Sequence, residues 1–489
     1  MKTLIGNPPW STPGFYGVRA GSRWPHLEPN GSCYMPFPFF MAHAAAVLDR
    51  ERLPVLMIDA IAERISDGEY VRKVADYKPG LVVHEVSTAS MDTDLRLLKR
   101  VNAALKGRAK LAICGPDFNI RTPEFLAANP LVDFVFQGEY EFLLLELVRA
   151  LDSGGGFGAI AGLIYRADDG TIVINEPRAL VRDLELYPWP ARYFLPMENY
   201  NDTPGGIPLP SAQMWASRGC PYDCNFCAWP QIIYGGHNYR VRDPIDVVDE
   251  MEYLIRTCEF QSVYFDDDTF NIGKKRIMDI CAEMDRRGLR IPWAVMARAD
   301  TADREMLEAM RSVGLHAIKY GVESADQTIL DNCGKKLDLN KVRDTVAVTR
   351  ELGIKYHLTF SFGLPGETFD SARRTIALAL ELDPDTLQFS IITPFPGSRY
   401  YRELDEKGYL TSRDWTKYNG YVSAVIRTDA LSSADLETLL AEANRAWELH
   451  VMKRQLRSDG AVGLALRGLR EPGKALRKVS QIAKARFKI

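Results

Sequence analysis

The stretch "SRGCPYDCNFCAWP" (217–230) places Cys220, Cys224 and Cys227 within eight positions, directly after the apolar run "SAQMWAS" (211–217). A closed zinc site needs four protein ligands, usually from paired Cys/His motifs. Three closely spaced thiolates instead suit an iron–sulfur cluster, which takes soft ligands and tolerates a non-cysteine donor on one iron. With three protein ligands, one iron is left open, and open positions mark reactive rather than structural metal sites. No fourth cysteine lies nearby, because Cys258 belongs to the next helical pattern. The other cysteines, Cys33, Cys114, Cys258, Cys281 and Cys333, are scattered singly, which is no disulfide framework and implies a reducing cytoplasm.

The surroundings of this loop decide the fold. Apolar runs follow at "SVYFDDD" (262–268), "PWAVMARA" (292–299), "HAIKYGVES" (316–324), "YHLTFSFG" (356–363) and "TLQFSIIT" (386–393), with amphipathic helical patterns between them. Six such units predict a parallel β/α barrel or partial barrel, with chemistry at the C-terminal strand ends. Upstream, "KTLIG" (2–6), "PVLMIDA" (54–60), "GLVVHEVS" (80–87), "AKLAICG" (109–115) and "VDFVFQG" (132–138) also alternate with helical patterns. They predict a doubly wound, Rossmann-like α/β domain whose ligand rim is Asn7–Trp10, Ser87–Ser90 and Gly115–Asn119. "DSGGGFG" (152–158) follows a helix and opens none, so it reads as a connector rather than a phosphate cradle. "YPWPARYFLP" (187–196) reads as a linker. The expected layout is 1–195 Rossmann-like, 196–400 barrel, and 401–489 a small helical C-terminal region.

The 489 residues carry a net charge of −3, unevenly distributed. Residues 453–489 hold about +9, leaving about −12 on the rest. The acidic body argues against a nucleic-acid partner. The tail places Leu476, Val479, Ile482, Ala483 and Phe487 among lysines and arginines at helical spacing. That pattern suits either an anionic membrane surface, at the inner face of the membrane, or a solvated tail. No signal peptide or membrane span is expected from "MKTLIGNPPW" or any later run.

The CxxxCxxC loop, with Phe226 before the last cysteine and on the first unit of a six-unit barrel, resembles the radical S-adenosylmethionine (SAM) superfamily. That resemblance implies a [4Fe–4S] cluster on Cys220, Cys224 and Cys227. Its fourth iron would be chelated by SAM, which an electron cleaves to a 5′-deoxyadenosyl radical. It also implies SAM contacts from Phe226, from the acidic turn Asp266, Asp267 and Asp268, from Arg298, from Glu323 and Ser324, and from Gly363 and Pro365 of "FGLPGET" (362–368). The first 195 residues resemble the cobalamin-binding domain found before such barrels, through "NPPW" and "NPLVDFVFQGEYEFLLLELV" (129–148). The resemblance implies cobalamin contacts from Asn7, Pro8, Pro9, Ser87, Gly115, Gly138 and Glu139. The Asp-x-His-x-x-Gly motif is absent, and Cys114-Gly115-Pro116-Asp117 stands where the class often has Gly-Gly-Pro-His. Any cobalt is therefore expected without a histidine ligand.

His84, Cys114 and Cys333 read as packing residues. The expectation is an enzyme that abstracts hydrogen from an unactivated carbon, transferring methyl groups if cobalamin is bound. The alternatives are a cobalamin-free cyclase, dehydratase or rearrangement enzyme, and a non-enzymatic iron–sulfur redox or ligand-sensing protein. The expected partners are an electron donor such as flavodoxin or ferredoxin and a small-molecule or lipid-linked substrate.

Overall fold

The computed structural model describes residues 1–421 and 423–470, with side chains as far as Arg457. The amphipathic part of the tail, from Leu476 to Phe487, lies outside the described residues. Among those described, no helix is long and apolar enough to cross a membrane.

The upstream strands form one sheet in the order Ile172–Ile174, Leu163–Arg166, Phe134–Phe136, Lys110–Cys114, Leu81–Glu85, Thr3–Asn7, Val55–Asp59. Contacts among the last five are parallel, and the first two strands add an antiparallel edge. Side chains alternate across a strand, so a doubly covered sheet feeds two cores. Ile5, Met57, Val83 and Ala112 enter the core beneath helices Phe39–Arg50 and Glu141–Ser153. Leu4, Ile58, Val82 and Leu111 enter the opposite core, beneath Asp67–Tyr77 and Met91–Ala104. The glycine-rich connector does what its composition implies: Gly154, at φ 67°, caps helix Glu141–Ser153.

The second sheet is wholly parallel, in the order Ser211–Met214, Ser262–Phe265, Trp293–Ala297, Leu315–Glu323, Lys355–Phe362, Thr386–Ile391. Its first and last strands do not pair, so the barrel is partial. One face is apolar: Ile318, Val322, Leu358, Phe360 and Phe389 pack beneath the helices. The concave face carries Lys319, Glu323, His357, Thr359 and Gln388, which line a cavity. Helix Ser433–Arg470 packs Leu436, Leu439 and Leu440 into the same apolar core.

The two halves interlock. Trp229, Ile232, Ile233 and Tyr234, which follow the cysteine loop, are buried in the first half's core with Trp215. In return, residues 21–34 of the first half reach the concave face of the second sheet.

Candidate active site

A short hairpin, Ser217–Gly219 against Tyr239–Val241, delivers the cysteine loop. Gly219 has φ +84°, and a Cβ there would sit 1.9 Å from the Asn238 carbonyl oxygen, so only glycine fits. The Gln231 side-chain amide then donates to the carbonyls of Cys224 (3.2 Å), Asn225 (3.1 Å) and Cys227 (2.8 Å), fixing the loop from within. Arg399 grips it from outside through the Asp223 carboxylate (2.7 Å) and carbonyl (2.6 Å).

All three thiols face one cavity of about 560 Å³, and none is in a disulfide. Burial pushes each thiol's pKa up, and the neighbouring thiols push Cys227 further. Three buried thiols are deprotonated together only when a metal centre binds them. Among the described residues no three His, Cys, Asp or Glu side chains could hold a single metal ion. A cluster spreads its ligands over separate irons and fits a wider trio.

Five of the nine residues expected at SAM line this cavity: Phe226, Asp266, Asp268, Arg298 and Glu323. The other four, Asp267, Ser324, Gly363 and Pro365, are not among the residues that line it. Asp267 is fully buried on the other side of the strand end, where it accepts hydrogen bonds from the Ala216 N–H (2.9 Å) and the Ser217 hydroxyl. Burial raises its pKa to about 6. It anchors the approach to Cys220. Ser324 is also fully buried and accepts from the Asp326 N–H (3.2 Å). Gly363, at φ +92°, faces Ile426 and Leu436 of the C-terminal region, and the Pro365 carbonyl accepts from the Asn332 side-chain amide (3.4 Å).

The residues that do face the cavity already have partners. Arg23, from the first half, binds Asp266 (2.8 Å) and Asp268 (2.8 Å). Arg298 holds Asp300 with two bonds (2.6 and 2.9 Å), and its guanidinium lies 3.7 Å from the centre of the Tyr222 ring. Glu323 accepts from Lys335 (3.0 Å) and Ser361 (2.8 Å). Sequence reasoning missed Arg23 and Lys335. "GSRWPH" (21–26) has no periodic or ligand-spacing pattern, and the partners of Arg23 lie more than 240 residues away.

"FGLPGET" is built around a buried carboxyl. Glu367 accepts the Gly363 N–H, while its other oxygen is buried without a partner. Burial raises its pKa from 4.5 to about 8. Between those values the unfolded chain ionises and the folded one does not, so this group makes stability fall as pH rises. Glu367→Gln is therefore expected to match wild type near pH 5. By pH 8 it should exceed it by on the order of a few kcal/mol. Urea unfolding at both pH values checks this, and a difference independent of pH would contradict it.

At the rim of the first sheet, the Asn7 side chain donates to Asp59 (2.8 Å) and accepts from Arg19 (3.0 and 2.9 Å). Arg19 also reaches the Pro8 carbonyl (2.6 Å) and pairs with Asp94. Ser87 is buried against the Ser90 hydroxyl (2.8 Å). Pro9 lines a separate groove of about 590 Å³. Gly115, at φ +129°, turns against the Val86 carbonyl, and Gly138 turns beside Ile233. Glu139 is bound into a buried ion cluster: it accepts from Arg218 (3.0 Å) and Arg240 (2.9 and 2.7 Å). Its neighbour Glu141 takes the other bond from Arg218 (2.7 Å). These groups join the two halves. The Arg121 Nε and Nη2 and the Gln137 Nε2 at the same rim are buried without partners and flank a cavity of about 260 Å³. His84 hydrogen-bonds Tyr70 (2.8 Å), and burial lowers its pKa to about 3. Cys114 and Cys333 are fully buried, as packing residues should be.

Residues 216–379 match the family model of the radical SAM superfamily. An uncharacterised methyltransferase of Pyrococcus horikoshii is 30% identical over 407 residues, covering 83% of this chain and 86% of that protein. The anaerobic magnesium-protoporphyrin IX monomethyl ester cyclase of Rubrivivax gelatinosus is 26% identical over 397 residues, covering 78% and 68%. Among solved structures, the radical SAM methyltransferase TsrM from Kitasatospora setae, with cobalamin and a [4Fe–4S] cluster bound, superposes with a TM-score of 0.64. It is 19% identical, with 83% of this chain and 75% of that one covered. The three-thiol loop on the first strand of a six-stranded parallel sheet and these similarities together show that the chain belongs to the radical SAM superfamily, with a cobalamin-binding-like domain ahead of the barrel.

Proposed function

We propose that this enzyme transfers a methyl group to a carbon of a small-molecule substrate, with a [4Fe–4S] cluster on Cys220, Cys224 and Cys227, SAM beside it, and cobalamin at the rim of the first sheet. The observation that carries the reading is the single cavity shared by the three thiols, Arg298, Glu323, Asp266 and Asp268. The thiol trio fits a cluster, as argued above from its burial and spacing. For cobalamin, support comes from the unpartnered donors of Arg121 and Gln137, which suit the amide-fringed edge of such a ligand. No histidine lines that cavity. When bound and reduced by a donor, these groups supply the electron and the methyl carrier.

The chain's own residues orient and enclose. Gln231 and Arg399 fix the cysteine loop, and Asp267 fixes the strand that feeds it. Arg298 and Glu323 flank the place of SAM. Trp24, His26, Tyr34 and Tyr421 form an aromatic wall of the same cavity. The Trp24 indole N–H there is buried without a partner. A ring-bearing small molecule suits such a wall.

The relative named as a cyclase favours one second reading, radical cyclisation on the same scaffold. Anaerobic incubation of the cluster-loaded, cobalamin-loaded enzyme with SAM, reductant and candidate substrates separates the two. Methyl transfer is expected to yield S-adenosylhomocysteine and 5′-deoxyadenosine together. Deoxyadenosine alone, unaffected by omitting cobalamin, would establish the cyclase reading. Neither product, from protein with a full iron complement, would overturn both.

A further inference from the structure

Lys335 is nearly buried and lines the cavity that the three thiols share. A buried ion pair is weak evidence for a stabilising role, because desolvation offsets much of the attraction. Its surroundings show how much of the local structure is arranged around it. Glu323, its partner, has φ +71°, a backbone conformation that non-glycine residues rarely adopt and that recurs at functional sites. The register between strands Leu315–Glu323 and Lys355–Phe362 shifts at the same point, between Gly321 and Glu323. Gly321 carries no side chain, and a Cβ there would lie 2.6 Å from the Glu323 Oε1 and 3.1 Å from the Lys335 Nζ.

The other side of the lysine is the cysteine loop. The Asn225 N–H donates to the Cys333 carbonyl (2.9 Å). A Cβ on Gly334 would meet the Asp223 carbonyl oxygen at 2.4 Å and the Cys224 Cα at 3.7 Å. Residues 333–335 therefore lie directly on the loop that carries Cys224. The ammonium has three N–H donors, and Glu323 takes one of them. Lys335 and Cys224 line the same cavity.

We propose that Lys335 is a positioning residue for the iron–sulfur group, holding a fixed positive charge beside Cys224 that raises the group's reduction potential. Reduction adds an electron to a buried centre already carrying three thiolates. A nearby cation in a low-dielectric site favours that added charge. Glu323 keeps the ammonium in place and tempers its field.

The inference rests on the cluster assignment above, and the experiment separates the two. The full-length, cluster-loaded protein is titrated electrochemically without SAM and read by electron paramagnetic resonance, as wild type, Lys335→Met, Lys335→Arg and Glu323→Gln. Lys335→Met is expected to shift the reduction equilibrium at least tenfold toward the oxidised state, about 59 mV for a one-electron couple. Lys335→Arg should stay close to wild type, and Glu323→Gln should move the opposite way, to a higher potential. An unchanged potential in Lys335→Met, or shifts of the same sign in Lys335→Met and Glu323→Gln, overturns the proposal. The second pattern is what a merely structural pair would give. If Lys335→Met loses its iron, Glu323→Gln decides alone, and an unchanged or lower potential overturns it. A wild type with no cluster signal would fail the cluster assignment itself.

Discussion

Replacing Cys220, Cys224 or Cys227 by alanine is expected to remove the iron–sulfur cluster and, with it, all cleavage of SAM. On the proposed assignment each thiol is a direct ligand in a site with none to spare, and the described residues offer no substitute: Cys333 is fully buried with its Sγ near the Leu330 carbonyl (3.4 Å). Alanine at Cys258, which is exposed, should leave iron content and activity intact. Cys281 lies in the helical core, so alanine there should lower stability by a small amount while keeping the cluster. The measurement is iron per chain after anaerobic reconstitution, with 5′-deoxyadenosine formed from SAM and dithionite. A ligand variant that keeps its iron and still cleaves SAM would refute the assignment.

The second large effect is expected at Arg218, two residues before the first cysteine. Its side chain is 4% exposed and bonds Glu139 and Glu141, themselves 5% and 0% exposed. It also lies 4.1 Å from the centre of the Tyr187 ring. Burial alone would raise both carboxyl pKa values; Arg218 and Arg240 hold Glu139 below the usual carboxylate range, while Glu141 remains raised. Arg218→Met keeps Arg240 on Glu139 but leaves Glu141 buried with no cation. Breaking a buried pair in this way costs about 3–5 kcal/mol. That is a large share of the roughly 5–15 kcal/mol that holds a domain folded. Thermal and urea unfolding should show the loss, and cluster content should fall with it, because the same strand delivers Cys220. Adding Glu141→Gln should recover part of the stability by removing the stranded charge. A Met variant as stable as wild type would refute this account.

Much of the fold was legible from local pattern. Strands such as "LVVHE" are buried on both faces, which only a doubly covered parallel sheet satisfies. In the barrel, "TLQFSI" alternates instead, and that alternation proved to separate a helix-covered face from a polar cavity wall. The acidic turn shows where pattern stops. Asp266, Asp267 and Asp268 are identical in type, yet the outer two face the cavity and the middle one anchors Ala216 and Ser217. Sequence cannot rank three identical neighbours. The chain direction at the strand end does.

What the sequence determined by itself were the features set by short spacing: the three thiols and their loop, the order of strands and helices, and the absence of a histidine from the rim motif. Each follows from periodicity or from ligand chemistry within a few residues. Only the tertiary structure decided which charges meet. Arg23 finds Asp266 across 243 residues, Arg218 finds Glu141 across 77, and Lys335 lies beside Cys224 because a glycine lets two loops touch. Charged side chains carry no periodic signal for a distant partner. Their pairing is fixed only when folding removes water and leaves each buried charge no partners but the counter-charges within reach.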